Sequence, residues 1–147
     1  MKAIIVTLAV LLLASCNQER KATQIIIATS AGAVSYQVEI ADNGVSRAQG
    51  LMNRGPLPLN AGMLFLYNGK TPVSFWMKNV SFPLDIIFFN EAGSVVKIHE
   101  NALPNDLTPI QSEVPIIAVL ELRGGTAKQD RINLHDMADI SSLMTTR

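Results

Sequence analysis

Residues 34–40 have the sequence VSYQVEI, in which apolar and polar side chains alternate at every position. Successive side chains of an extended strand point to opposite sides, so this alternation predicts a β-strand with one buried face. The preceding run, residues 24–29, is apolar and rich in β-branched side chains, and a turn of small residues at 30–33 joins the two runs. We therefore predict that they form an antiparallel β-hairpin.

Short apolar runs continue along the chain and are separated by Gly, Pro and Asn. The runs are residues 62–67, 73–77, 84–89, 94–100 and 116–122, with one or two weaker strands after Ile132. Many short strands with such turns between them predict a mainly β single domain, a sandwich or barrel of antiparallel sheets. An α+β arrangement is the alternative.

One or two short helices are expected within this β domain. Asn43 follows Asp42 and is positioned to cap a short helix, whose expected apolar face consists of Val45, Ala48, Leu51 and Met52. Residues 101–115 contain three prolines and are predicted to form a long loop that covers a site.

The first sixteen residues have the features of an export signal. Lys2 gives a positive start, and the uncharged stretch at residues 3–13 is shorter than the roughly 20 residues that a membrane-spanning helix needs. It ends at Leu13-Ala14-Ser15-Cys16, which resembles the lipobox of bacterial lipoproteins. The resemblance implies that residues 1–15 are a lipoprotein signal peptide and that Cys16 becomes the lipid-bearing first residue. An uncleaved anchor or a soluble secreted protein is the alternative.

Cys16 is the only cysteine of the chain, so an internal disulfide is excluded. Residues 16–23 are then a polar tether, residues 24–147 form the domain, and the lipid on Cys16 makes a membrane the expected partner. Asn17 stands where inner-membrane retention signals favour Asp. The resemblance therefore places the protein in the cell envelope, facing the periplasm, at the outer rather than the inner membrane.

The charge of the chain gives no indication of a nucleic acid partner. Removing residues 1–15 takes away Lys2 and leaves 11 basic and 12 acidic side chains, a formal charge of about −1. No basic stripe stands out in the sequence. Nucleic acid binding is therefore not expected.

The middle of the chain carries a series of motifs in a fixed order. They are RxxGLMxR at residues 47–54, GMLF at 62–65, FWMKN at 75–79, PLDIIF at 83–88 and VLEL at 119–122. On these motifs the chain resembles the bacterial and archaeal family called domain of unknown function 192, over roughly residues 34–140. The resemblance implies a mainly β, sandwich-like fold and an exported or membrane-associated protein, and it implies no activity.

Two positions depart from the family pattern. Asn79 is followed by Val80, where the family often has Thr, and His135-Asp136 stands where the family usually has Gly-Asp. If that glycine serves a positive φ, His135 strains the turn.

Charged residues within the apolar motifs are candidates for a site, because buried charges are seldom left unpaired. They form either a salt-bridge set that fixes strand register or the polar floor of a ligand pocket. In the second case Arg54 and Lys78 hold a carboxylate or phosphate, and Asp85 orients one of them. Trp76 is predicted to face away from Phe75 and Met77, and it either packs in the core or stacks on a sugar ring. The predicted ligand-binding residues are Arg54, Trp76, Lys78, Asn79, Asp85 and Glu121.

No catalytic residue, metal site or cofactor is predicted. The only histidines are His99 and His135, and the chain has no GxSxG elbow, no phosphate-cradling glycine loop and no zinc-ligand spacing. We therefore expect a cell-envelope binding or assembly module for a small polar or anionic ligand or an envelope protein. The alternative is a glycan-directed hydrolase or lyase that uses Asp85 and Glu121 as an acid pair.

Overall fold

The computed structural model describes residues 23–145, and the predicted signal peptide, Cys16 and most of the predicted tether lie outside these residues. The strands are β1 (Thr23–Thr29), β2 (Gly32–Ala41), β3 (Ala61–Thr71), β4 (Ser74–Phe75), β5 (Leu84–Phe89), β6 (Val95–Ala102), β7 (Ile110–Gln111), β8 (Ile116–Arg123) and β9 (Met137–Ala138). The helices are α1 (Gly44–Gln49), α2 (Thr126–Gln129) and α3 (Ile140–Thr145). The mainly β prediction is confirmed. Among residues 23–145, no helix is long and apolar enough to cross a membrane.

Seven strands form one curled sheet in the order β6-β5-β8-β3-β2-β1-β9, and β4 pairs with β7 in a small second sheet. The predicted hairpin is present, since β1 and β2 pair in antiparallel register. The pairing of β2 with β3 is parallel, whereas the other neighbours in the large sheet are antiparallel. The parallel pair requires a crossover, which α1 and residues 50–60 supply.

The curl of the large sheet brings its two edge strands together at one end. Ser94, just before β6, forms a β-bridge with Met137 of β9. The amide of Ala138 donates to the carbonyl of Gly93 at 2.8 Å. Gly93 has φ 76°, and a Cβ there would lie 2.1 Å from the carbonyl oxygen of Ala138. Only glycine fits this contact, which closes the sheet part of the way towards a barrel.

Both faces of the sheet are covered by apolar side chains. The first face packs against one cluster, which includes Tyr36, Leu64, Ile87, Leu120 and Ile140. The second face packs against another, which includes Phe65, Met77, Ile86, Phe88 and Val119. All six residues of β5 are buried, because this strand is covered on both faces and has a neighbouring strand on each side.

Helix α1 begins as predicted but is shorter than its expected apolar face. The side chain of Asn43 accepts hydrogen bonds from the amides of Val45 and Ser46 and forms a capping box. The prediction that Val45 and Ala48 lie on a buried face is wrong, because both are exposed and no residue of α1 is buried. Gly50 adopts φ 47° and ends the helix, so the buried Leu51 belongs to the turn that follows.

Two other predicted segments differ in extent. The strand expected at residues 73–77 is reduced to the two residues of β4, and the loop expected at 101–115 contains β7. His135, which stands where the family usually has glycine, does have a positive φ, of 73°. The histidine therefore occupies the left-handed conformation that glycine adopts without strain.

Candidate functional site

A cleft of about 290 Å³ lies on the second face of the sheet, between α1 with the turn after it, the strands β3 and β8, and the start of the FWMKN motif. Its lining includes Arg47, Gly50, Leu51, Met52, Phe65, Tyr67, Phe75, Trp76, Val80 and Glu121. Most of these side chains are apolar or aromatic, and few are charged. This composition is typical of small-molecule sites, which combine apolar walls with a few polar groups that fix orientation.

Glu121 is the buried polar group of this cleft. It lies on β8 beside Met63 of β3 and Ile86 of β5, and the residue is only 5% exposed. Within residues 23–145, no group donates a hydrogen bond to its carboxylate. Burial raises the pKa of Glu121 to about 8, because the charged form is costly to desolvate. At neutral pH the side chain is therefore mostly a carboxylic acid, which can donate a hydrogen bond.

Arg47 and Tyr67 form a second polar element of the cleft. The guanidinium carbon of Arg47 lies 5.0 Å from the centre of the Tyr67 ring, and Nη1 donates to the carbonyl of Leu66 at 2.8 Å. Burial raises the pKa of Tyr67 to about 12, although the nearby Arg47 opposes this shift, and so the phenol stays neutral. Arginine has five N–H donors, and this contact with Leu66 uses one of them.

Trp76 lies at the rim of the cleft, and the residue is 49% exposed. The ammonium of Lys78 lies 5.3 Å from the centre of the Trp76 ring. Met77 is buried, so the predicted alternation of these side chains is present, and Trp76 is not a core residue. Phe75 packs edge-on against Phe65 at a centroid distance of 5.0 Å, which anchors this segment beside the cleft.

Comparison with protein families matches residues 26–140 to domain of unknown function 192, DUF192, described as an uncharacterized ACR. The chain belongs to the DUF192 family. A crystal structure of a protein of unknown function from Novosphingobium aromaticivorans is similar with a TM-score of 0.78 and 36% identity, over 80% of this chain and 84% of that one. A structure from Sinorhizobium meliloti, described as a candidate transcription regulator, has a TM-score of 0.76 and 37% identity, over 79% and 91% of the two chains. No functionally curated protein matches the chain.

Asp85, in the PLDIIF motif of this DUF192 domain, is fully buried away from the cleft. Its Oδ1 accepts from the amides of Asn101 at 2.8 Å and Gly125 at 3.1 Å, and its Oδ2 accepts from the amide of Ala127 at 2.7 Å. The carboxylate therefore joins the end of β6 to the start of α2. This contact set gives Asp85 a structural role.

Asp85 and Glu121 are not brought together. Asp85 pairs with Leu122 in the register of β5 and β8, whereas Glu121 pairs with Ile86. Paired residues of neighbouring strands share a face, and successive residues alternate, so the two carboxyl groups lie on opposite faces of the sheet. An acid pair that flanks a single scissile bond requires both groups on one side.

The remaining predicted residues lie outside the cleft. Arg54, in the RxxGLMxR motif, forms a two-point ion pair with Glu39, with Nη1–Oε2 at 3.1 Å and Nη2–Oε1 at 2.5 Å. The pair borders an open groove of about 1,120 Å³ on the other side of residues 49–52. Asn79 has φ 56° and is exposed, and its carbonyl accepts from the amide of Asn53 at 2.8 Å. It contributes to chain geometry rather than to the cleft lining.

The loop expected at residues 101–115 does not cover the cleft, but its backbone hydrogen bonds to the FWMKN segment and to Val80 after it. The backbone carbonyl of Asp106 accepts a hydrogen bond at 2.8 Å from the amide of Met77, and the amide of Asn105 donates to the carbonyl of Val80 at 2.9 Å. No residue of 101–115 lines the cleft. The loop therefore holds the FWMKN segment in place and leaves the cleft open.

The predicted ligand-binding residues did not include Arg47 or Tyr67. Tyr67 could have been found from the period of two in β3, because Met63, Phe65 and Tyr67 share the face on which Glu121 lies. Arg47 stands in the RxxGLMxR motif, but only the tertiary packing of α1 places it over Tyr67. Within residues 23–145, no group of three or more His, Cys, Asp or Glu residues is placed to hold a metal ion.

Proposed function

We propose that this DUF192 protein is a lipid-anchored binding module of the bacterial cell envelope, and that the cleft over Glu121 takes a small polar ligand. The lipobox-like sequence that ends at Cys16 supports the anchor and the location. The single observation that carries the binding role is Glu121, a residue only 5% exposed whose carboxyl group opens onto a cleft and receives no hydrogen bond from the described residues.

No fully buried side-chain oxygen or nitrogen among residues 23–145 lacks a hydrogen-bond partner, so the unpaired carboxyl oxygens of Glu121 reach the cleft. Burial of the residue still makes its charged form costly, as the raised pKa of Glu121 indicates, and an apolar residue in its place would avoid that cost. A ligand in the cleft can hydrogen bond to this carboxyl group without displacing a protein partner. The position of Glu121 is therefore better explained by a bound ligand than by stability alone.

Binding is favoured over hydrolysis by the separation of the two candidate acids. Asp85 has its oxygens occupied by three backbone amides, and it lies on the face opposite Glu121. The cleft thus contains one carboxyl group, and the described cleft lining offers no histidine, cysteine or second acid to work with it. A binding role needs only the side chains that line the cleft.

The description of the Sinorhizobium meliloti relative as a candidate transcription regulator does not alter this proposal. Nucleic acid binding depends mainly on basic side chains that contact phosphates. The proposed mature chain has a formal charge of about −1 and no basic stripe in its sequence.

The proposal can be tested by tryptophan fluorescence, because Trp76 is the only tryptophan of the chain and lies at the rim of the cleft. The full-length protein in detergent would be titrated with a panel of amino sugars, sugar acids, glycerol phosphate and small carboxylates. We expect at least one compound to change the emission in a saturable manner.

Two variants identify where that compound binds. Glu121→Leu should abolish the emission change because it removes the polar group of the cleft, whereas Arg54→Ala should preserve it because Arg54 lies in the separate groove. If Arg54→Ala abolished the emission change and Glu121→Leu preserved it, the compound would bind in the groove beside Arg54 instead. An unchanged emission across the whole panel would refute the cleft as a small-molecule site.

A further inference from the structure

We propose that the ligand of the cleft is a small organic anion carried on a flat ring, bound by the guanidinium of Arg47 and by a hydrogen bond from the side chain of Glu121. This inference rests on the binding function proposed above and adds the chemical class of the ligand. It depends on the charges around Glu121 and on the shape of the cleft.

The charged groups around the cleft are basic. Helix α1 contributes Arg47, and the FWMKN segment contributes Lys78 beside the Trp76 ring. Strand β3 contributes Tyr67, whose phenol is neutral because its pKa is raised to about 12. The residues paired with Glu121 on its two neighbouring strands are apolar. An anion entering the cleft therefore meets positive charge at its edge.

Glu121 does not cancel this positive charge at neutral pH. Burial raises the pKa of Glu121 to about 8, so the group is mostly un-ionised there and presents an O–H donor. A bound anion stabilises the protonated form further, whereas a bound cation would stabilise the carboxylate. An anion and a cation would therefore give opposite dependences of affinity on pH.

The walls of the cleft suit a planar group. Phe65, Tyr67, Phe75 and Trp76 all line it, and aromatic side chains pack well against flat rings. Its volume of about 290 Å³ is near the lower end of the roughly 300–1,000 Å³ of small-molecule pockets. A single ring with an attached carboxylate or phosphate matches this size and lining.

The experiment compares three probes of similar shape and different charge: benzoate, benzamide and benzyltrimethylammonium. Each is titrated into the full-length protein in detergent, with Trp76 emission as the readout, between about pH 6.5 and pH 9.5. We expect benzoate to bind about tenfold or more tightly than benzamide, and benzyltrimethylammonium to bind most weakly. The affinity for benzoate should fall above pH 8, approaching about tenfold per pH unit as the proton of Glu121 is lost.

Two variants separate the contributions of the charged groups. In Glu121→Gln the amide still donates but does not ionise, so benzoate should bind with an affinity that no longer depends on pH in this range. Arg47→Met should weaken benzoate about tenfold while changing benzamide less than about twofold. If Arg47→Met does not fold, as judged by thermal unfolding, the pH dependence of benzoate affinity in the wild type and in Glu121→Gln still tests whether the ligand is an anion.

The anion inference is overturned if benzyltrimethylammonium binds most tightly, if benzoate affinity in the wild type does not change with pH, or if none of the three probes binds. The proposed function fails separately, when no compound of the wider panel changes the Trp76 emission. A panel compound that binds without negative charge would retain the binding function and reject the anion.

Discussion

Asp85 and Glu121 lie on neighbouring strands, next to each other in register, and face opposite sides of the same sheet. On the first face, Asp85 accepts hydrogen bonds from three backbone amides. On the second face, Glu121 accepts none from residues 23–145. Two buried carboxyl groups a short distance apart along the sheet therefore have opposite effects on stability, and this can be measured.

Replacing Asp85 with Asn should destabilise the fold strongly. The change turns an acceptor oxygen into an NH2 group that faces backbone N–H donors, and hydrogen bonds to a charged group are worth about 1.5–3 kcal/mol each. We expect the free energy of unfolding in urea to fall by about 3 kcal/mol or more. Glu91→Gln, at an exposed ion pair with Lys70, is the control and should leave the midpoint nearly unchanged. Equal midpoints for the two variants would remove the structural role assigned to Asp85.

Glu121 should make the protein less stable as the pH rises. The pKa of Glu121 is raised from 4.5 to about 8 in the folded chain, so between these values the folded state holds a proton that the unfolded state has released. The stabilising contribution is complete below about pH 4.5 and is lost as the pH passes 8, with a slope of at most about 1.4 kcal/mol per pH unit.

Glu121→Gln should remove this slope, because the amide does not titrate. The measurement is the free energy of unfolding of both proteins in urea at several pH values between about 5 and 8.5. The difference, wild type minus variant, should decrease steadily as the pH rises. A difference that stays constant would mean that Glu121 is ionised in the folded chain at neutral pH.

Trp76→Ala should cost little stability despite the size of the side chain. Trp76 is 49% exposed at the rim of the cleft, so removal of its indole leaves no internal cavity, and we expect a loss below about 1 kcal/mol. Phe88→Ala is the matched large-to-small control, since Phe88 is completely buried, and it should cost about 3–5 kcal/mol. Thermal or urea unfolding of the two variants compares them directly. A loss for Trp76→Ala as large as that for Phe88→Ala would place the indole in the core.

His135→Gly should stabilise the protein. His135 has φ 73°, and the left-handed conformation costs a residue with a Cβ roughly 1–2 kcal/mol. Because glycine also has more freedom in the unfolded chain, we expect a net gain of about 1 kcal/mol in the free energy of unfolding. His135→Ala is the control, since alanine keeps the Cβ and should give no gain. If both variants gained equally, the effect would come from loss of the imidazole.

Cys16→Ser should release the protein from the membrane fraction. The substitution removes the thiol to which the proposed lipid is attached, and among residues 23–145 there is no helix that could span a membrane in its place. Fractionation of cells that express the wild type and the variant checks this. A variant that still sediments with membranes through its N-terminus would contradict the lipoprotein proposal.

The fold could be predicted from the sequence where the determining interactions are local. The period of two in residues 34–40 identified the hairpin, and Asn43 identified the start of α1. The parallel pairing of β2 with β3 could not be predicted, because it joins residues on either side of a crossover and leaves no local pattern. The apolar face assigned to α1 was wrong because Val45 and Ala48 are exposed within the helix, and because the buried Leu51 lies beyond Gly50, whose φ of 47° ends the helix.

The residues that line the cleft could be predicted only in part, for the same reason. Glu121 and Trp76 were predicted as ligand-binding residues, and both line the cleft. Each was visible within a single segment: Glu121 as a charge inside a buried strand, and Trp76 as an aromatic residue that faces away from Phe75 and Met77. Arg54 and Asp85 looked similar in sequence, but their partners come from β2 and from the turns after β6 and β8. Only the tertiary structure reveals whether a buried charge already has its partners, and this distinguishes a structural carboxylate from one available to a ligand.

The pairing of Ile27 with Ala138 has a consequence for the newly made chain. Strand β1 is synthesised first in the domain, yet one of its edges has no partner until almost the whole chain has followed. An open strand edge can pair with another molecule, so the protein is prone to aggregation during this interval. A chain that stops before β9 stays in that condition permanently. We therefore expect β9, which covers this edge at Ile27 and Ala28, to reduce pairing with other molecules, and truncated chains that lack it to aggregate more readily than the full chain.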